Sequence, residues 1–508
     1  MSVDRRTFLN LLTSGVAVVG AGEMVAEKVT PQGRDGRPNF LVLFCDDMTY
    51  RAIGSLNNPE VRTPNLDRLV REGTAFTHAF QQGSWQGAVC VASRTMAHTG
   101  LSCFQARDMT QKVAHFTDDN LDDIQTWGQT LGKAGYRTYI CGKWHLDPPL
   151  LQRSFAEMGP VGPGMLPSTG ATGDMYNRPA PGNHWDPADK TRAGQWLHTS
   201  VWDSAKDDRI VHSTELYTNH AVDFLKEAPQ KGEPFFAYVA FNAPHDPRQA
   251  PQEFLDMYPV DKVQVPPNFL PEHPFDQGDH KLRDEILAPF PRTHHAVQVH
   301  RREYYAIISH LDQQVGRILD ALEQSGQAKN TYVIFTGDHG LAVGEQGLMG
   351  KQNMYDCSLR MPMIVRGPGV RAGRRCDQLI YQHSLYATTC DVAGVPVPKH
   401  VQFPSLKKLW MGADEPVHDA MFCNYKEFQR AVRTKTHKLI VYPQVGVVQL
   451  FDIENDPWEM KNLADDPKMA GLKKKLWARL EAYQKELGDT LPLDHPSTPE
   501  VPNALYHD

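Results

Sequence analysis

The sequence has no Cys-x-x-Cys pair. Its eight cysteines (Cys45, Cys90, Cys103, Cys141, Cys357, Cys376, Cys390 and Cys423) are scattered, which argues against a structural zinc site or a dithiol redox centre. Cys45 and Cys141 fall inside apolar runs and read as small core residues. No apolar run reaches the ~20 residues of a membrane span, so the chain is not expected to be membrane-embedded. Basic blocks are also missing. Lys and Arg number 53 against 60 Asp and Glu, for a net charge of -7, and no nucleic-acid partner is expected. No internal repeat is visible. The 37 prolines and 38 glycines are dispersed, which implies many loops rather than one disordered tract.

A chain of 508 residues is too long for one simple core, and a large domain with a smaller companion is the natural expectation. At the N-terminus, Asp4-Arg5-Arg6-Thr7-Phe8-Leu9 precedes an apolar stretch from Leu11 to about Gly22. That order resembles a twin-arginine export signal. It implies a signal and linker over residues 1–35, export of the folded protein, and a periplasmic or secreted location.

Five short apolar runs read as strands buried on both faces: Phe40–Cys45, Thr138–Cys141, Phe235–Phe241, Tyr332–Thr336 and Met361–Val365. Helical periodicity lies between them, over about Asn65–Glu72, Leu121–Ala134, Thr214–Lys226 and Tyr304–Glu323. In the last, Tyr304, Ile308, Leu311, Val315, Ile318 and Leu322 make one stripe. Alternating strands and helices predict an α/β domain over residues 36–400, with a large, mostly parallel sheet flanked by helices. After residue 400, Arg433–Tyr442 and Val447–Phe451 read as hairpin strands and Lys473–Leu487 as a helix. A small α+β domain is expected over 401–508. Residues 150–212 and Pro251–Thr293 break the rhythm, as functional loops do. Trp185, Trp196 and Trp202 in the first stretch would either stack on a sugar or anchor the loop.

The strands end in reactive residue types: Asp46-Asp47, Lys143 with His145, Pro244-His245, and Asp338-His339. In open α/β sheets the carboxyl ends of strands gather at one edge and form the site. Asp46, Asp47, Asp338 and His339 suit a divalent cation, because paired carboxylates repel and a cation removes that cost. Three carboxylates favour Ca²⁺ or Mg²⁺, and the imidazole leaves room for Mn²⁺.

Residues 88–100 read Ala-Val-Cys-Val-Ala-Ser-Arg-Thr-Met-Ala-His-Thr-Gly. The Cys90-x-x-x-Arg94 within them resembles the sulfatase signature Cys-x-Pro-Ser-Arg, with Ala92 in place of proline. Gly135-Tyr136-Arg137-Thr138-Tyr139-Ile140-Cys141-Gly142-Lys143-Trp144-His145 resembles the second signature of that family. Asn242-Ala243-Pro244-His245-Asp246-Pro247 is similar to its Pro-His-x-Pro. Gly350-Lys351-Gln352-Asn353-Met354-Tyr355-Asp356 resembles its Gly-Lys-x-x-x-Tyr-Glu, with Asp356 as the acid. Phe451–Pro457 and Asn462-Leu463-Ala464 resemble its C-terminal, structural pattern. The matches run in the family's order from Asn39 to about Ala464.

The resemblance implies an alkaline phosphatase-like fold. It also implies that Cys90 is converted to formylglycine by a formylglycine-generating or anaerobic, radical-type sulfatase-maturing enzyme. Alanine at position 92 resembles sites that the anaerobic enzymes accept. The hydrated aldehyde would attack sulfur and contribute an oxygen to the cation held by Asp46, Asp47, Asp338 and His339. Arg94, Lys143 and Lys351 would neutralise the sulfuryl oxygens. His245 would protonate the departing alcohol, and His145 would serve the second hydroxyl. The expected function is hydrolysis of a sulfate ester on a sulfated small molecule or sugar. Two rivals remain: a phosphodiesterase or phosphonate monoester hydrolase on the same scaffold, and an inactive glycan-binding homologue with Cys90 unmodified.

Overall fold

Every residue of the first strand, Asn39–Cys45, is buried. A strand covered on both faces belongs in the middle of a layered sheet. The computed structural model describes residues 36–112, 123–164, 176–192, 194–202, 208–279 and 282–494, the side chains of residues 112, 201 and 202 excepted. The export-signal segment, residues 1–35, lies outside them. In chain order the strands are β1 (Asn39–Cys45), β2 (Thr74–Phe80), β3 (Gly83–Ser84), β4 (Arg137–Lys143), β5 (Glu157–Gly162), β6 (Trp196–His198), β7 (Ile210–His212) and β8 (Phe235–Ala240). They continue with β9 (Thr331–Gly337), β10 (Arg360–Arg366), β11 (Arg374–Cys376), β12 (Ile380–Tyr381), β13 (Ala420–Tyr425), β14 (Gln429–Thr434), β15 (His437–Tyr442) and β16 (Val447–Asp452).

The large sheet runs β11-β2-β10-β9-β1-β8-β4-β5, with β12 beside β2. All pairs in it are parallel except those made by β10, which runs against both β9 and β2. The sheet is therefore mixed, though mostly parallel as expected. All five predicted core strands lie in it.

Alternation along β1 divides the core into two layers. Phe40, Val42 and Phe44 face one side, in a cluster with Trp127, Phe236, Tyr238 and Ile334. Leu41, Leu43 and Cys45 face the other, in a cluster with Ile307, Leu311 and Val315. Those three belong to the helix His294–Gln324, which begins ten residues before its periodic stripe. Thr293 caps it by accepting from the Ala296 amide at 3.1 Å. The early turns bury His300 and Arg301 through polar contacts, with Arg301 on Glu345 at 2.9 Å, and that hides the apolar period. The helix expected over Leu121–Ala134 is shorter, Trp127–Lys133, because Thr126 and Gln129 form a capping box that stops it. Residues 121–122 lie outside the described residues. Arg433–Tyr442 is not one strand. Thr434 ends β14 and His437 begins β15, joined by a tight turn in which the Thr434 hydroxyl accepts from the His437 amide.

The C-terminal sheet runs β16-β15-β14-β13-β3, so its edge is contributed by Gly83–Ser84. The helix Ala470–Leu487 packs Leu476 and Leu480 on Val432, Leu439 and Leu450. Asn462 accepts from the Leu450 and Ala464 amides and fixes the turn after β16. All eight cysteines are free and buried.

Asp356 locks this sheet to the large one. Its carboxylate meets Arg433 at 3.1 Å and Lys438 at 2.5 Å, and Lys438 also meets Glu459 at 2.7 Å. Burial pushes the Asp356 carboxyl up, but Arg433 and Lys438 outweigh it and hold it well below the usual range. It therefore stays ionised. Asp356→Ala would leave buried Arg433 without a carboxylate and Lys438 with Glu459 alone, so a loss of about 3–5 kcal/mol of stability is expected. Denaturant unfolding checks this, and an unchanged midpoint contradicts it.

Candidate active site

Four neighbouring parallel strands, β9, β1, β8 and β4, end at one edge. Asp338-His339 follow β9, Asp46-Asp47 follow β1, His245 lies beyond β8, and Lys143 closes β4. The antiparallel β10 begins at the same edge, so the segment from β9 to β10 stays there and brings in Lys351. Cys90 is the second residue of the helix Val89–Thr99, where backbone N–H groups favour negative charge.

The site is bent into shape by its backbone. Asp47 and His145 hold φ of 64° and 63°, left-handed conformations that are uncommon for such residues and cluster at functional sites. The Tyr304 hydroxyl donates to the Asp47 carbonyl at 2.6 Å and accepts from the Thr49 amide at 3.0 Å. Gly142 has φ 98°, and a Cβ there would lie 1.7 Å from the Ala240 carbonyl oxygen. Only glycine fits. The strand β4 ends at Lys143 and the chain turns at His145, so the two side chains do not project from one extended strand as their spacing suggests. They still meet the same site. Lys143 Nζ donates to Asp46, and His145 Nδ1 lies 3.2 Å from Cys90 Sγ.

Ligand atoms of Asp46, Asp47, Asp338 and His339 lie within 4.8 Å of one another, and so do those of Asp46, Cys90 and His339. All these residues are buried. Lys351 Nζ donates to Asp47 at 2.7 Å. His245 Nε2 lies 3.7 Å from Asp47 Oδ2, and its Nδ1 lies 2.6 Å from the Asp246 carbonyl. Arg94 is wholly buried, one turn beyond Cys90. It bonds Asp338 at 3.1 Å and the Lys143 carbonyl at 2.9 Å, so it braces two site residues. Its Nη2 has no protein partner.

Burial and neighbouring charges compete at every group here. Burial raises the Asp47 carboxyl to about 7, with Lys351 opposing and Asp46 assisting. Burial and Asp46 likewise raise Asp338. Burial would lower His339, but Asp338, Cys90 and Asp47 outweigh it and raise it to about 9. Burial also opposes ionisation of Asp46 and Cys90. For Asp46, Lys143 prevails and its carboxyl falls well below the usual range. For Cys90, Lys143 and Lys351 prevail, so the thiol is held low. Asp46 Oδ1, Asp47 Oδ2 and His339 Nε2 are buried with no hydrogen-bond partner. Three converging carboxylates and an imidazole, with unsatisfied atoms on Asp46, Asp47 and His339, are a donor set that fits one divalent cation.

A cavity of about 940 Å³ opens beside His145, with Trp85 and Trp144 in its wall. Trp85 is half-buried. Of the tryptophans singled out in the sequence, Trp185 and Trp196 do not line it. Trp185 and Trp196 are buried, under Arg178 at 3.7 Å and against His212 at 5.1 Å, and so anchor their loop. The Trp202 side chain lies outside the described residues. Sequence reasoning missed Tyr304, Asp246, and Arg283, Asp284 and Glu285 in the irregular stretch before Thr293. Tyr304 was legible only as a member of an apolar stripe, and the charged triplet reads as an ordinary solvated loop.

Residues 38–395 match the family described as Sulfatase, and residues 344–486 match the C-terminal family of N-sulphoglucosamine sulphohydrolase. An N-acetylglucosamine-6-O-sulfatase from Bacteroides thetaiotaomicron is 25% identical over 532 residues, covering 90% of this chain and 88% of that one. A protein solved in complex with its substrate D-glucosamine-2-N,6-O-disulfate aligns with TM-score 0.69 at 23% identity, over 91% of this chain and 100% of that one. The phosphonate monoester hydrolase of Agrobacterium radiobacter aligns with TM-score 0.65 at 20% identity, over 89% and 96%. Among the described residues no helix is long and apolar enough to cross a membrane. With the family match spanning well over half its length, the chain belongs to the sulfatase family of sulfuric ester hydrolases.

Proposed function

We propose that this protein hydrolyses the sulfate ester of a carbohydrate, with a formylglycine derived from Cys90 and one divalent cation held by Asp46, Asp47, Asp338 and His339. One arrangement supports the reading above all. Ligand atoms of Asp46, Cys90 and His339 lie within 4.8 Å of one another, and Asp46 and His339 also belong to the group formed with Asp47 and Asp338; His145 reaches the Cys90 sulfur at 3.2 Å. When present, the two groups supply an oxygen nucleophile and a Lewis acid.

The chain's own residues do the rest. Lys143, paired with Asp46, and Lys351, paired with Asp47, present ammonium groups to the sulfate oxygens. Arg94 orients Asp338 and, after His339, opposes the upward shift of its carboxyl. His145 exchanges a proton at the position 90 side chain. His245 turns Nε2 to the site and protonates the departing alcohol oxygen. Burial, Lys351 and Lys143 hold its imidazole well below the usual range in the free enzyme. A seated anionic ester acts in the opposite direction and favours the imidazolium. The cavity beside His145 gives the alcohol portion its room, and the Trp85 face suits the apolar side of a sugar ring. Three carboxylates favour Ca²⁺, with Mg²⁺ and Mn²⁺ as the other candidates. The twin-arginine segment fits export to the periplasm or beyond, after a maturing enzyme has acted on Cys90.

The phosphonate monoester hydrolase likeness keeps a second reading in view, since sulfuryl and phosphoryl groups share a tetrahedral shape. An aryl sulfate should be hydrolysed with a higher kcat/KM than the matching aryl phosphodiester or phosphonate; the reverse order transfers the assignment to phosphorus. Mass analysis of the Cys90 peptide from active protein should show the thiol replaced by an aldehyde, and Cys90→Ala should remove turnover. Retained activity in that variant sinks the nucleophile assignment. Chelation should abolish turnover, and Ca²⁺ should restore it. At 100 times its Kd the ion should raise unfolding stability by about 2.7 kcal/mol, readable by thermal or denaturant unfolding. Chelator-resistant activity with an unshifted melt speaks against the cation.

A further inference from the structure

His245 and Lys351, which both approach Asp47 at the site, sit on loops that are distant in sequence. One short segment ties those loops together. Arg283 grips Asp246 with two bonds, 2.6 Å and 3.1 Å, and it also donates to Asp284. Asp246 Oδ1 lies 3.3 Å from His245 Nδ1. Asp284 accepts from Gln352 Nε2 at 2.8 Å, and Gln352 Oε1 accepts from the Lys351 amide at 3.0 Å. Glu285 accepts from the Met349 and Gly350 amides, both at 3.0 Å, and is itself held by Arg292 at 2.7 Å. Asp246, Asp284 and Glu285 are buried. The Arg283 side chain is 29% exposed, so it is the solvent-facing end of the chain of contacts.

We infer that Arg283-Asp284-Glu285 is a positioning element that fixes His245 and Lys351 relative to each other on the side where the alcohol leaves. The inference rests on the sulfatase reading. As the S–O bond breaks, its electron pair goes to the alcohol oxygen, and the Nε2 proton of the His245 imidazolium joins that oxygen. Water then restores the proton. Arg283 touches neither sulfate nor nucleophile. It acts through Asp246, which sets the tilt of the imidazole. A planar guanidinium with two parallel bonds fixes a carboxylate plane in a way that an ammonium does not. Supports of this kind typically change rates by roughly 10–100-fold.

The test compares two sulfate esters, one releasing nitrophenolate, which departs without a proton, and one releasing a sugar hydroxyl, which needs one. In Arg283→Gln, kcat for the sugar ester should fall roughly 10–100-fold with KM little changed, while the nitrophenyl ester is nearly unaffected. Arg283→Lys, which keeps the cation and so the fold, should recover part of that selectivity. In a His245→Ala background, Arg283→Gln should add nothing further. Equal losses on both esters with an unchanged melt overturn the inference, as do fully additive effects in the double variant. A wild-type enzyme that hydrolyses neither ester overturns the sulfatase reading instead, and this inference falls with it.

Discussion

Three buried carboxylates at one edge of a sheet are the constraint around which the rest is arranged. Asp46, Asp47 and Asp338 cannot all stay ionised in a dry interior without compensation. The protein answers with Arg94, Lys143 and Lys351, each anchored from a different element. Even so, burial leaves Asp47 pushed to about 7, and Asp338, Cys90 and Asp47 raise His339 to about 9, so the three cations do not fully offset the cost of burying the carboxylates. A divalent cation among them would complete the compensation, as in the proposed function. In that proposal the lysines that balance the carboxylates are also the groups that would meet sulfate oxygens. Compensation and recognition are the same set of side chains.

The sheet supplies the precision. Parallel neighbours β9, β1, β8 and β4 are packed on both faces, so their ends cannot drift relative to one another. The strained turns at Asp47 and His145 persist because the surroundings determine them: the Tyr304 hydroxyl on the Asp47 carbonyl, and the Gly142 backbone pressed against Ala240. Rigid strands lead directly into Asp46, Asp47, Asp338 and His339, whereas His245 and Lys351 sit on loops. The contacts that steady those loops matter correspondingly more there.

Much of this was legible in the sequence, for physical reasons. A strand buried on both faces must be continuously apolar, so β1, β8 and β9 stood out, and the polar residues that ended them marked the site edge. Short motifs fixed Cys90, Arg94, Lys143, His145, His245 and Lys351 because each is local in sequence. The illegible parts are those decided by distant partners. The helix His294–Gln324 hides its first turns because His300 and Arg301 are buried by contacts with Arg178 and Glu345. The acid in the Lys351 motif, Asp356, was legible only as a motif position, and its partners Arg433 and Lys438 lie far along the chain. Arg283, Asp284 and Glu285 carry no periodicity at all, and only their partners reveal them.

Asp356 also explains why the C-terminal sheet is more than an appendage. The segment from Lys351 to Asp356 has no regular structure of its own, and its carbonyls and side chains need partners. The C-terminal sheet supplies them. Gln429 donates to the Gln352 carbonyl at 3.1 Å, Lys438 to the Met354 carbonyl at 3.0 Å, and the Tyr355 hydroxyl to Gln449 at 3.0 Å. From the other side, Glu285 accepts the Met349 and Gly350 amides. The Lys351 loop is thus clamped between two supports that belong to neither neighbouring strand. The helix bearing Cys90 follows β3, whose residues pair with β13 in the same C-terminal sheet. Cys90 and Lys351 therefore share one scaffold, and a shift of that sheet would move both together relative to the carboxylates that follow β1 and β9.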